Sequence, residues 1–392
     1  MLKKAVIFNI CHPRACRITL MNPFDRNQPH NTLPDLPPNA ELETKAVLKQ
    51  AIRANRALAE LKGVGDLIPN PSVLVRLIGL QEAKLSSEIE NIVTTNDELY
   101  RAYSDAFSDT LGRFDPATKE VLHYNDALWY GYQHLRQGRP LTTNLFEEIT
   151  SIIKETRMGV RSRPGTKIGN SGSGEIIYTP PEGEQLLRDK LRNLEQFIYD
   201  DQDGLDPLVK LAVLHYQFEA IHPFSDGNGR AGRILNILYL IEQNLLEWPV
   251  LYLSGYIMRH RSGYYDGLRR VTEDNDWEQW VLYILRAIEL TATETNRRIG
   301  GIRNLMQTTA DLVREKLPRT YSKDLIEAIF QQPYCRISGL EQTLGITRQT
   351  ASTRLKQLEG LGVLESLKVG AEVYFIHRAF LNALTQKLES KL

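Results

Sequence analysis

Residues 207–240 read PLVKLAVLHYQFEAIHPFSDGNGRAGRILNILYL. Two apolar segments flank a polar, glycine-rich centre. The first carries Leu208, Leu211, Ala212, Leu214, Phe218 and Ile221 at helical spacing. It is expected to end at His222, because a residue before proline avoids helical angles. The second starts near Arg230 and continues through Ile234, Leu235, Ile237, Leu238 and Leu240. The segment from His222 to Arg233 is therefore a loop feeding a helix N-terminus, between two helices that belong to a core.

That geometry suits phosphate. Gly227, Asn228 and Gly229 let the backbone fold tightly and aim N–H groups at an anion, where the helix dipole also favours negative charge. Arg230 and Arg233 are three apart and share a helix face, so two guanidinium forks can grip phosphate oxygens. Asp226, at the loop's edge, is placed to hold Mg²⁺ bridging phosphates. His222 is a base able to take a proton from an attacking hydroxyl. Phe224 is the apolar residue that pins the loop to the core. A single histidine, a Gly-Asn-Gly turn or a pair of helical arginines is each usually structural; the combination, in this order, is what points to chemistry.

The segment His222-Pro223-Phe224-Ser225-Asp226-Gly227-Asn228-Gly229-Arg230-Ala231-Gly232-Arg233 resembles the Fic motif, H-P-F-x-D/E-G-N-G-R-x-x-R, at every fixed position. The resemblance implies nucleotidyl transfer, most often of AMP from ATP to a Tyr, Thr or Ser hydroxyl of a target protein, with the chain itself as a further acceptor. His222 would be the base, Asp226 the Mg²⁺ ligand, Gly227 to Gly229 the anion cradle, and Arg230 and Arg233 the phosphate holders, with Ala231 and Gly232 between them. Tyr264 and Tyr265 resemble the family's paired tyrosines near the nucleotide base.

Upstream, residues 159–183 are glycine-rich, and two short β-like runs, Thr166 to Gly169 and Glu175 to Tyr178, flank Asn170-Ser171-Gly172-Ser173-Gly174 in a hairpin pattern. With Lys167, Ile168 and Gly169 on its first arm, it is similar to the family's target-positioning flap, whose edge can take up a target segment as an extra strand. Ser86-Ser87-Glu88-Ile89-Glu90-Asn91 resembles the Fic inhibitory motif, S/T-x-x-x-E-G/N. Ser86 and Glu90 are four apart and share a helix face. The resemblance implies that Glu90 pairs with Arg233 and keeps ATP misaligned; in some relatives the same glutamate supports removal of AMP.

Further out, the chain reads as mainly α: a Fic-type helical core with a β-hairpin flap, plus a C-terminal winged helix-turn-helix. Expected divisions are a disordered extension at 1–20, with Met21 a candidate start; an N-terminal helical region with the inhibitory helix at 21–115; the catalytic core at 116–310; and the winged helix at 320–392. The first helix carries Leu42, Ala46, Leu48, Ile52 and Leu58 and stops at Gly63 and Gly65. Pro69 and Pro71 open a second, and a further helix is expected from Ser86 to Val93. The C-terminal unit reads as a helix around Leu325 to Phe330, a helix from Ile337 to Leu344, a turn at Gly345, and a third helix capped by Thr347. A β-wing follows around Gly370. The third helix presents Arg348, Gln349, Thr350, Ser352, Thr353 and Lys356, groups able to meet DNA. Yet Lys and Arg barely outnumber Asp and Glu from 320 to 392.

Bulk composition adds limits. Lys plus Arg and Asp plus Glu each number 48, so no global charge pulls the chain to nucleic acid or membrane. Cys11, Cys16 and Cys335 are too few and too scattered for a disulfide framework or zinc site, which fits reduced thiols and a cytoplasmic protein. The most apolar run, Ile234 to Trp248, is short of a membrane crossing and reads as a buried helix. A homodimer through the C-terminal unit is a further expectation. The competing function is a DNA-binding transcriptional regulator whose Fic-like domain senses nucleotide.

Overall fold

The computed structural model describes residues 24–64, 71–106, 115–169, 173–370 and 372–386. The expectations for residues 1–20, Met21, Cys11, Cys16, Gly65, Pro69 and the hairpin tip at 170–172 lie outside the described residues. In chain order the elements are α1 (Lys45–Val64), α2 (Pro71–Ile89), α3 (Asn96–Ala106), α4 (Pro116–Arg136), α5 (Thr143–Lys154), β1 (Ile168–Gly169), β2 (Ile176–Tyr178), α6 (Glu184–Ile198), α7 (Pro207–Ile221), α8 (Asn228–Glu242), α9 (Leu253–Arg259), α10 (Arg261–Asp274) and α11 (Trp277–Lys316). The C-terminal unit follows with α12 (Lys323–Ile329), β3 (Tyr334–Cys335), α13 (Ile337–Leu344), α14 (Arg348–Gly360), β4 (Glu365–Val369), β5 (Glu372–Ile376) and α15 (Arg378–Thr385). The protein is mainly helical, with two small antiparallel sheets, β1-β2 and β3-β5-β4.

Local chemistry explains the helix starts. α4 and α7 open with the same signature, an Asp cap followed by proline at the first helical position: Asp115 accepts from the Ala117 N–H and Asp206 from the Leu208 N–H. Thr347 caps α14, and Gly345 ends α13 in the left-handed region. α7 and α8 are buried nearly all round, which places them at the centre. α5, α6 and α11 pack around them, with α4 and α2 against α8. α11, at 40 residues, runs roughly 60 Å, lies along α1, and reaches the C-terminal unit.

Several expectations change. The helix foreseen from Ser86 to Val93 is the end of α2, a single helix opened by Pro71; it stops at Ile89, and Asn91 takes a left-handed φ of 63°. α1 forms, but Ala46, Leu48 and Ile52 face outward; its buried face is Val47, Ala51, Ala54, Leu58 and Leu61. Small alanines, which a count of large apolar residues overlooks, let α1 lie close to α11. The apolar run Ile234–Trp248 is helical only to Glu242. His222 does end its helix, but in the left-handed region (φ 49°, ψ 59°) rather than in an extended conformation.

The C-terminal unit is docked on α3, the element that follows α2. The Ser104 hydroxyl donates to the Tyr334 carbonyl at 2.8 Å, and the Tyr334 hydroxyl donates to Asp97. Asp105 receives both Arg336, at 3.1 Å, and the Tyr374 hydroxyl, at 2.8 Å. Among the described residues no helix is long and apolar enough to cross a membrane.

Candidate active site

Part of the loop between α7 and α8 is folded by its own residues. Phe224 is fully buried, and the Asn228 side chain ties back to it, accepting from the Phe224 N–H and donating to the Phe224 carbonyl, both at 2.8 Å. The side chain of Asn228 thus builds the loop. Gly227 has φ 82°, a conformation that disfavours any side chain. Among the described residues no side chain accepts from the first amides of α8 itself. Orphan N–H groups and the helix dipole therefore converge on an anion cradle.

Two arginines flank that cradle, both buried. Arg233 donates through Nε to the Ser86 Oγ at 2.7 Å, and through Nη2 to the Ser86 carbonyl at 2.9 Å and to Glu90 Oε1 at 2.8 Å. Burial works against its charge, but Glu90 and other acidic neighbours hold its pKa above the ordinary arginine value. The Glu90 carboxylate also lies over the cradle: a Cβ added at Gly229 would stand 2.5 Å from Glu90 Oε1. Asn91, in its left-handed conformation, is the residue that lets the chain turn and aim Glu90 there. Arg230 points the other way, donating to Glu120 at 2.7 Å.

Asp226 is gripped by Lys154, with Nζ at 2.7 Å from Oδ2, and its Oδ1 accepts from the Gly227 N–H at 2.6 Å. Burial acts against the carboxylate, yet Lys154 outweighs it and keeps the pKa below the usual aspartate value. Glu120 bridges Lys154 and Arg230. His222 is half-buried, and desolvation first, then the nearby Arg161 guanidinium, pulls its pKa down to about 4. Its imidazole is accordingly neutral at pH 7 and free to accept a proton. Its left-handed backbone costs about 1–2 kcal/mol for a residue with a Cβ, so the surrounding structure must hold it there.

The remaining expected residues are spread over three settings. Ala231 is buried on the inner side of α8, and a Cβ on Gly232 would meet Glu219 Oε1 at 2.6 Å, so the glycine makes room for that carboxyl. Tyr264 is buried, with its hydroxyl 2.8 Å from His215 Nε2 and its ring beside Trp280, whereas Tyr265 is partly exposed under Arg261. The flap forms: Ile168 pairs with Tyr178 and Gly169 with Ile176, with a bulge between, and Lys167 and Gly169 are exposed.

Four residues that the motif reading did not single out complete the site: Glu120, Lys154, Arg161 and Glu219. Burial raises the pKa of Glu219 to about 7, with Arg233 opposing and Glu90 adding to the rise, so a carboxyl that titrates near neutral pH sits one turn before the histidine. Its position on α7, one turn from His222, was the only local signal; the other three come from distant elements.

Residues 48–133 match the Fic/DOC family N-terminal domain, residues 134–240 the Fic/DOC family domain, and residues 305–380 the family described as protein adenylyltransferase SoFic-like, C-terminal domain. A probable protein adenylyltransferase of Aquifex aeolicus is 32% identical over 195 residues, covering 49% of this chain and 55% of that protein. Protein adenylyltransferase fic-1 of Caenorhabditis elegans is 28% identical over 135 residues, covering 34% of this chain and 24% of that one. The chain thus spans from about a quarter to about half the length of these relatives. In fold, a crystal structure of a Fic family protein from Desulfovibrio desulfuricans G20 matches with a TM-score of 0.52 at 20% identity, over 85% of this chain and 96% of that one.

Proposed function

Because the chain carries the N-terminal and core domains of the Fic/DOC family, we propose that it transfers AMP from ATP to a Tyr, Thr or Ser hydroxyl of a target protein and that Glu90 restrains the reaction. The observation that carries this is the meeting of a neutral, half-buried His222 with a helix amide end that no described side chain caps, flanked by two buried arginines.

In the reaction, His222 takes the proton of the target hydroxyl as its oxygen bonds to the α-phosphorus of ATP. The bond from that phosphorus to the bridging oxygen breaks, and pyrophosphate leaves. The N–H groups at the start of α8 stabilise the charge that builds on phosphate oxygens, and Arg230 and Arg233 hold the leaving side. Asp226 suits Mg²⁺ in a site of this kind, where one or two carboxylates share the ion with substrate phosphates; Lys154 would first have to release Oδ2. Bound there, Mg²⁺ would neutralise phosphate charge. The exposed β1 edge with Lys167, Ile168 and Gly169 would align the target strand.

Restraint follows from position. Glu90 occupies the Arg233 fork and overhangs Gly229, where a phosphate oxygen would otherwise sit. A charge-assisted hydrogen bond contributes about 1.5–3 kcal/mol, enough to shift a two-state balance by roughly 10- to 150-fold. Radiolabelled ATP tests the assignment: Glu90→Gly should label itself or targets more than the parent, and His222→Ala not at all. Equal labelling by all three proteins would refute it. The same reading allows Glu90 to position water for the reverse reaction, which release of AMP from modified protein would reveal.

A second reading, DNA binding through α14, is supported by the exposure of Arg348, Gln349, Thr350, Thr353 and Lys356 on one helix. Salt-dependent retention of duplex DNA without any protein labelling would favour it over the enzyme.

A further inference from the structure

An α-helix leaves its last carbonyls without intrahelical partners. At the end of α7 four consecutive carbonyls are all satisfied from the two roots of the flap. The Tyr178 hydroxyl, at the end of β2, donates to the Ala220 carbonyl at 3.0 Å. Arg161, on the segment entering β1, donates through Nη2 to the Ile221 carbonyl at 3.4 Å and through Nε to the His222 carbonyl at 2.8 Å. Its own backbone N–H donates to the Pro223 carbonyl at 2.9 Å. The same Nη2 also reaches the Pro181 carbonyl on the segment leaving β2, so one buried guanidinium joins both flap roots to the backbone of His222.

We propose that Arg161 is a positioning residue for the base: it pins His222 in its left-handed backbone conformation and ties it to the flap, so that a target strand bound there is held in register with the imidazole. The inference rests on the reading of His222 as the base. A planar fork is the right tool, because several carbonyls at fixed angles are met at once, which an ammonium cannot do. Its charge acts as well. The groups whose charge or dipole acts on the His222 ring are Arg161 from the flap root, Glu90 from the end of α2, Asp226 from the loop, and the backbone carbonyl of Glu219 on α7. Burial and then Arg161 favour the neutral ring; the other three oppose them.

The test uses the full chain with ¹³C-labelled histidine, the His222 resonance being identified by its loss in His222→Ala. In Arg161→Gln the His222 titration midpoint should rise towards the ordinary value of about 6.5, whereas in Arg161→Lys it should stay low. In the Glu90→Gly background both variants should lose labelling rate, roughly 10- to 100-fold for a base displaced by a fraction of an ångström to an ångström, with little change in the KM for ATP. For Arg161→Gln the acid limb of the rate profile should also move to higher pH. An unchanged midpoint in Arg161→Gln, or parental rates in both variants, would overturn the proposal. If Arg161→Gln does not fold, Arg161→Lys decides: a parental rate there refutes the role of the fork. If Glu90→Gly alone never labels, it is the proposed function that fails, and the titration still reports on Arg161.

Discussion

Two helix ends meet at the candidate site, and they are finished in opposite ways. The carbonyl end of α7 is closed: Tyr178 and Arg161 satisfy Ala220, Ile221, His222 and Pro223 in turn. The amide end of α8 is open: among the described residues no side chain caps it, and the Glu90 carboxylate hangs over it on the Arg233 fork. An unsatisfied backbone group in a buried place is costly, so the closed end reads as a rigid mount and the open end as a seat for an anion. On the proposed function, the contrast separates what would hold His222 still from what a nucleotide would have to displace.

The largest effect should come from removing the base. His222→Ala is expected to lower labelling by at least about 10²- to 10⁴-fold, even in the Glu90→Gly background, measured as AMP incorporated per unit time. Next, Glu90→Gly should raise labelling by roughly 10- to 150-fold; no gain would mean that the open end is not guarded as described. The acid side of the rate profile sharpens the comparison. With the His222 pKa depressed to about 4, falling pH protonates the base only near that value. Labelling by Glu90→Gly should therefore persist to roughly pH 5, whereas a midpoint near that of an ordinary histidine would contradict the desolvation of the ring. Asn91→Ala should loosen the end of α2 by about 1–2 kcal/mol, the cost of a left-handed residue with a Cβ, giving partial activation, while Asn91→Gly should stay near the parent. Smallest, Tyr178→Phe removes one of four caps and should lower stability by about 0.5–1.5 kcal/mol, seen as a small drop in Tm with the His222 titration unmoved.

Much of the site could be read along the chain because its parts are contiguous. His222, Asp226, Gly227 and the two arginines lie within twelve residues, and the proline after His222 and the glycines before α8 announce a turn between two helices. The unexpected left-handed angle at His222 escaped the proline rule because three carbonyls beside it are held from elsewhere. α1 shows a different miss: large side chains suggested one face, while Val47, Ala51 and Ala54 form the buried one, since close packing on α11 favours small residues. Ser86 and Glu90 were visible as a pair on one helix, but only the fold brings Arg233 to them.

By itself, the amino-acid order determined a mainly helical chain with a glycine-rich anion loop, because periodicity, caps and turns act over a few residues. The partners of that loop were decided by tertiary structure alone: Glu120 and Lys154 against Arg230 and Asp226, Arg161 against His222, and α3 against the C-terminal unit. Such pairs join residues far apart in the chain, and their strength depends on burial and ångström-scale distance, which no local pattern encodes.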